Sequence, residues 1–160
     1  MADVNIEKFT MKEFENARKK IANGKTPGTD GIPGEFIKWL NTEIAKQIIL
    51  DLINDIWTLE TIPSESEIAR VVTIYKKANP DLPQNYRPIS LLQSIYKIYA
   101  RMIQNRLAEA LDERIWTTQF GFRRNKSTSQ PISMLRRIQD YMEASGDRLI
   151  LLFLDWEKSL

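Results

Sequence analysis

The chain has 160 residues, 42% of them hydrophobic and 28% charged, with a formal net charge of +2, the balance of a folded globular domain rather than a disordered tail. It contains no Cys and no His, which excludes disulfide staples, thiol nucleophiles, Ser-His-Asp catalysis and zinc fingers, and leaves carboxylates, Lys, Arg, Tyr, Ser and Thr for any chemistry. The longest purely apolar run, Leu149 to Leu154, falls far short of the ~20 residues needed to cross a bilayer, and the N-terminus lacks a signal-peptide pattern, so the sequence reads as intracellular, in nucleus or cytoplasm, with no membrane partner.

In chain order, Phe9 to Asn23 is rich in helix formers, with Phe14, Ala17, Ile21 and Ala22 at helical spacing, and predicts a helix capped by Asn23-Gly24. Gly24 to Gly34 then packs four Gly and two Pro into a shaped loop. Pro33 suits the first position of a helix through Phe36, Ile37 and Leu40. Ile44, Ile48, Ile49, Leu52, Ile53 and Ile56 predict an amphipathic helix that buries that stripe and ends before Pro63. The β-branched run Ile68 to Tyr75 predicts a strand, followed by Lys76-Lys77 and a loop holding Pro80, Pro83 and Pro88. Leu91 to Leu111 carries a continuous apolar stripe from Ile95 to Leu111 and predicts a long helix. From about Thr128 another helix is expected, interrupted at its start by Pro131, with Ile132, Leu135, Ile138 and Met142 on one face. Leu149 to Leu154, apolar on both sides, predicts a strand buried in mid-sheet that delivers Asp155 at its end.

Charge is unevenly spread. Residues 61–148 carry 14 basic against 9 acidic side chains, and Arg114 to Arg137 has six basic residues and no acidic one, with Trp116, Phe120 and Phe122 interleaved. Cations that neutralise phosphates beside aromatic faces that stack on bases fit single-stranded nucleic acid, although a solvated basic face over core aromatics has the same pattern. Three features could carry chemistry. Asp155 at a strand end could hold a divalent cation or simply begin a turn. Lys76, Lys77 and Arg87, the last stiffened by Pro88, could grip phosphate oxygens or bridge surface carboxylates. Gly121 to Gln130 joins a basic loop to the Ser/Thr-rich start of a helix.

The linked strings Thr26-Pro27-Gly28-Thr29-Asp30-Gly31-Ile32-Pro33, Asn85-Tyr86-Arg87-Pro88-Ile89-Ser90-Leu91-Leu92, Gln119-Phe120-Gly121-Phe122-Arg123-Arg124-Asn125-Lys126-Ser127-Thr128 and Phe153-Leu154-Asp155-Trp156 resemble, in content and order, the reverse transcriptase domain of non-LTR, LINE-type retroelements. The resemblance implies an α+β fold, mostly helical fingers plus the first strand of a right-hand polymerase palm with an incomplete sheet. It divides the chain into a helical lead-in (1–23), fingers and partial palm (24–148) and the first palm motif (149–160). It further implies RNA-directed DNA synthesis in a full-length protein, with an RNA template, a DNA primer and dNTPs as partners. Lys76 or Lys77 and Arg87 would grip the incoming triphosphate. Gln119, Gly121, Phe122 and Arg123, with Arg124 and Lys126 of the same basic loop, would face the template. Asp155 would be catalytic and bind Mg²⁺, with Mn²⁺ possible, and Trp156 would sit near the nucleotide sugar. The family's second catalytic motif, an Asp-Asp pair, does not occur in the chain, so the fragment alone is expected not to polymerise. A non-catalytic RNA-binding module, a relic, a structural helical adaptor and a group II intron-type fragment are the competing readings.

Overall fold

Thr10 and Glu13 form a reciprocal capping box, the Thr10 hydroxyl accepting from the Glu13 N–H at 3.3 Å and the Glu13 carboxylate accepting from the Thr10 N–H at 2.8 Å, and helix α1 (Met11–Lys19) starts there. The computed structural model describes residues 4–155 and divides into two units, Met1–Ala110 and Leu111–Leu160. In the first, α1 is followed by α2 (Gly34–Lys38), α3 (Glu43–Leu59), the strands β1 (Arg70–Tyr75) and β2 (Tyr86–Leu91), and α4 (Ser94–Leu111), whose last residue opens the second unit. Helix α5 (Ser129–Ser145) belongs to the second unit. Helices with one antiparallel two-stranded sheet make the fold α+β, as expected. Among the described residues no helix is long and apolar enough to cross a membrane.

The core of the first unit gathers Phe9 and Phe14, Ile37, Leu50, Ile53 and Ile56 of α3, and Ile98, Tyr99 and Met102 of α4. Two arginines are buried with it. Arg18 donates to the carbonyls of Lys38 (2.6 Å) and Leu40 (2.8 Å), capping the C-terminal end of α2, and pairs with Glu15 at 2.9 Å. Arg106 bonds Glu13 through Nε (2.7 Å) and Nη2 (3.0 Å) and donates to the carbonyls of Asn5, Glu7 and Lys8, while its guanidinium lies 4.0 Å from the Phe9 ring centroid. Asn54 pairs with both backbone groups of Phe9, and Trp57 donates to the Ile6 carbonyl. The segment before α1 is thus held by its backbone, not by helical structure.

Several expectations are corrected. The first helix ends at Lys19 rather than Asn23, because Ile21 and Ala22 leave the helix to line a groove. Pro33 is the N-cap of α2 rather than its first helical residue, and α2 stops at Lys38, before Leu40. Helix α3 is where periodicity put it, but Ile44, Ile48 and Leu52 are exposed and Leu50 is buried, because the face carrying Leu50, Ile53, Ile56 and Trp57 packs on the core. Pro88 lies in a strand, not a loop: it sits opposite Thr73, and since the Lys76 N–H bonds the Asn85 carbonyl, the alternation of an antiparallel ladder gives Pro88 a position that needs no donor. Residues 91–93 accordingly precede α4 instead of starting it. Pro131 does not interrupt α5, since it lies in the first turn, where a backbone N–H has no helical acceptor. Leu149 to Leu154 forms no strand and is exposed, Ile150 at 93% and Leu154 at 87%, because an extended segment becomes a strand only against a ladder and the described residues of its unit supply none.

Candidate nucleic-acid and nucleotide interface

The β1–β2 hairpin positions the first cation set. Register pairs Ile74 with Arg87 and continues to Lys76 with Asn85, so pleat parity places Arg87 and Lys76 on one face together with Val72, Ile89 and Leu91, while Lys77 follows in the connecting loop. Diagonal neighbours on a ladder lie ~7–8 Å apart, which suits two cations sharing one polyphosphate. The loop between the strands is stiff. Asn85 Nδ2 donates to the Asn79 carbonyl (2.7 Å), Asn79 Oδ1 accepts from the Asp81 N–H (2.9 Å), and the Tyr86 hydroxyl donates to the Pro80 carbonyl (2.9 Å). Tyr75 and Tyr86 pack edge to face across the ladder with centroids 5.6 Å apart.

That hairpin face forms one wall of a groove of about 900 Å³ whose other walls come from α1, the segment after it, and α4. Its floor is apolar, with Ile21, Val72, Ile74, Ile89, Leu91 and Ile98, and its charged lining is Lys20, Lys25, Lys97 and Arg101, without a carboxylate. Such a surface neutralises phosphates while offering apolar contact to what they carry. The Gly-rich loop sets one rim. A Cβ on Gly28 would fall 2.6 Å from Gln93 N and Leu92 C, so only glycine lets the loop lie against the entry to α4. The Ser94 hydroxyl donates to the Ile32 carbonyl at 2.9 Å and ties the other end of the loop to the same helix.

In the second unit the basic aromatic segment is a run of turns closed by Arg123. Its Nε donates to Asp112 Oδ1 (3.0 Å), Nη2 to the Asp112 carbonyl (2.9 Å) and Nη1 to the Trp116 carbonyl (3.0 Å). The Arg123 hydrogen bond holds the Asp112 carboxyl below the ordinary aspartate range. Phe122 is fully exposed and holds φ +61°, Asn125 holds φ +59°, and Trp116 is 81% exposed. Lys126 Nζ sits 6.0 Å from the Phe120 ring centroid, and Gln119 and Arg124 are exposed. A Cβ on Gly121 would meet open space. Gly146 ends α5 in the left-handed region, its N–H bonding the Glu143 carbonyl and that of Asp147 the Met142 carbonyl.

Asp155 is exposed at the end of the 149–154 run, and among the described residues no three carboxylates or other metal-ligating side chains converge. A lone exposed carboxylate does not fit a complete divalent-metal site. Trp156 lies outside the described residues.

Residues 74–159 match the family model described as reverse transcriptase (RNA-dependent DNA polymerase). The chain belongs to the reverse transcriptase family. Relatives are of the non-LTR retrotransposon kind. The probable RNA-directed DNA polymerase from transposon BS of Drosophila melanogaster is 32% identical over 135 residues, 82% of this chain and 15% of the relative. That from transposon X-element of the same fly is 30% identical over 148 residues, 91% of this chain and 16% of the relative. The RNA-directed DNA polymerase from mobile element jockey is 32% identical over 126 residues, 77% and 14%. The chain spans about 15% of the length of these reverse transcriptases.

In this chain the structure brings Lys76 and Arg87 to one face of the hairpin and gathers Gln119 to Lys126 in one turn segment. Lys20, Lys25, Lys97 and Arg101 escaped sequence reading. Lys97 and Arg101 were detectable as an i, i+4 basic pair beside an apolar stripe, whereas Lys20 and Lys25 join them only through the fold.

Proposed function

We propose that this chain supplies the template- and nucleotide-gripping surface of a non-LTR retrotransposon reverse transcriptase, with residues 1–23 as lead-in, 24–148 as fingers and partial palm, and 149–160 as the first palm motif. The observation that carries the reading is the carboxylate-free groove lined by Lys20, Lys25, Lys97 and Arg101, walled by the hairpin face that holds Arg87 and Lys76. Nucleic-acid phosphates follow the groove, and the two hairpin cations grip the triphosphate of the incoming nucleotide, whose charge they neutralise as the leaving pyrophosphate develops. Lys77 is a second, loop-borne cation for the same group. Gln119, Gly121, Phe122, Arg124 and Lys126 meet the template, and Trp156 is assigned to the nucleotide sugar. Asp155 is proposed as one carboxylate of a divalent-metal set, Mg²⁺ or Mn²⁺, whose role when bound is to polarise the transferring phosphate. RNA template, DNA primer and dNTPs are the proposed partners.

The test is a salt-titrated binding assay of the 160-residue chain with single-stranded RNA and an RNA/DNA hybrid. Lys97→Ala with Arg101→Ala is expected to weaken binding and lower the slope of log affinity against log salt by about two. Binding that ignores both substitutions and salt would refute the reading.

A further inference from the structure

Arg123 stands in a string whose resemblance implies template contact, yet its guanidinium is already occupied. Four hydrogen bonds tie it to the side chain of Asp112 and the carbonyls of Asp112, Trp116 and Gln119, and its side chain is only 10% exposed. An arginine satisfied in this way has one N–H left and little surface to offer a phosphate. Its bonds join the start of the turn segment to the residue before Arg124, so they fix the path of the chain between residues 112 and 123.

Along that path the exposed groups are unusual for a soluble surface. Trp116 and Phe122 present large aromatic faces to solvent, and Phe122 does so from a left-handed backbone conformation that costs an aromatic residue free energy. Nothing within the unit repays that cost through burial, since no described residue of the unit is buried. The segment from Arg114 to Arg137 carries six cations and no carboxylate, so the charge beside the two rings is complementary to a polyanion. Exposed aromatic faces with interleaved cations are how single strands are held without sequence preference, bases on the rings and phosphates on the cations.

We propose that Arg123 is a positioning residue, stapling the 112–123 turn through Asp112 so that Trp116 and Phe122 are presented as a stacking platform for the bases of a single-stranded nucleic acid. Arg124 and Lys126 take its phosphates. The inference rests on the nucleic-acid reading above and deepens it: it adds Trp116 to the interface and places Asp112 and Arg123 behind it as its support.

The two roles of Arg123 make opposite predictions for Asp112→Asn. That substitution removes a negative charge and replaces the ion pair at Nε with a neutral acceptor, while the three bonds to carbonyls remain, so an Arg123 that touched phosphate directly would bind as well or better. A staple would be loosened at its one charge-assisted bond, and binding would weaken despite the added positive charge. The experiment is fluorescence anisotropy of the full chain with a labelled single-stranded oligo(U) RNA over a range of salt concentrations. Asp112→Asn and Arg123→Gln are each expected to weaken binding about threefold or more while leaving the salt slope unchanged, because no phosphate contact is lost; Lys126→Ala is expected to lower the slope by about one. Trp116→Ala and Phe122→Gly, both at exposed positions that leave the staple intact, are expected to weaken binding about fivefold or more. Unchanged or tighter binding by Asp112→Asn, or a lowered salt slope in Arg123→Gln, would overturn the staple and leave the nucleic-acid reading standing. Normal binding by Trp116→Ala and Phe122→Gly would overturn the platform, and absence of binding by the unmodified chain would overturn both the platform and the reading it rests on.

Discussion

Replacing Arg106 with Ala removes one of the two most heavily bonded side chains among the described residues of the first unit. The guanidinium makes two bonds to the Glu13 carboxylate and three to the carbonyls of Asn5, Glu7 and Lys8, and it covers the Phe9 ring. Its side chain is 6% exposed against 29% for Glu13, so the substitution strands a half-buried carboxylate and three carbonyls that Ala cannot serve. Removing one partner of a buried pair costs about 3–5 kcal/mol, and the partial exposure of Glu13 puts this case near the lower figure. That is a large share of the ~5–15 kcal/mol that holds a domain together. Urea unfolding followed by far-UV circular dichroism reads it out. With a denaturant slope of about 1.5 kcal/mol/M, the midpoint is expected to fall by about 2 M. A double-mutant cycle with Glu13→Gln separates the pair from the strap contacts, and a coupling of about 1–3 kcal/mol is expected. A loss below about 1 kcal/mol, or strictly additive single and double variants, would refute the claim that this cluster anchors the segment before α1.

Two more outcomes follow from the same unit. Gly28→Ala forces a Cβ to within 2.6 Å of backbone atoms at Leu92 and Gln93, whereas Gly34→Ala meets the Ile21 Cγ2 at the same distance but on a side chain that can turn away, so Gly28→Ala is expected to lower the thermal midpoint by the larger margin, at a cost of about 1–3 kcal/mol; equal effects would contradict the close backbone approach. Burial pushes the Glu13 and Glu15 carboxyls up, but hydrogen bonds from Arg106 and Thr10 to the first and from Arg18 and Lys46 to the second outweigh it and hold both below the ordinary value of 4.5. The stability they contribute is therefore complete above about pH 4.5 and lost as pH falls through their lowered values, and Glu13→Gln is expected to flatten the acid limb of a stability-versus-pH curve.

Local chemistry was decisive for the parts of this protein that depend on neighbours in sequence. Periodicity located α3, α4 and α5, β-branching located β1, and four linked motif strings identified the family, since each of these signals is written in residues a few positions apart. The Thr10-x-x-Glu13 capping box was equally legible and would have started α1 at Met11 instead of Phe9. What tertiary structure decided is what depends on partners distant in the chain. Helix α3 is apolar over so much of its circumference that periodicity could not choose between Ile44 and Leu50, and packing against Phe9 and α4 made the choice. Leu149 to Leu154 has a strand's composition, but a strand exists only where a ladder receives its N–H and C=O groups. The four groove cations come from three separate stretches, and Arg123 reads as one more free cation until Asp112 and the Trp116 carbonyl are seen around it. Residue types and spacing therefore announced the basic, aromatic-interleaved character of this chain. Which cations face the groove and which are consumed in holding the backbone was set by hydrogen-bond geometry, because a charge already satisfied within the fold is withdrawn from any ligand.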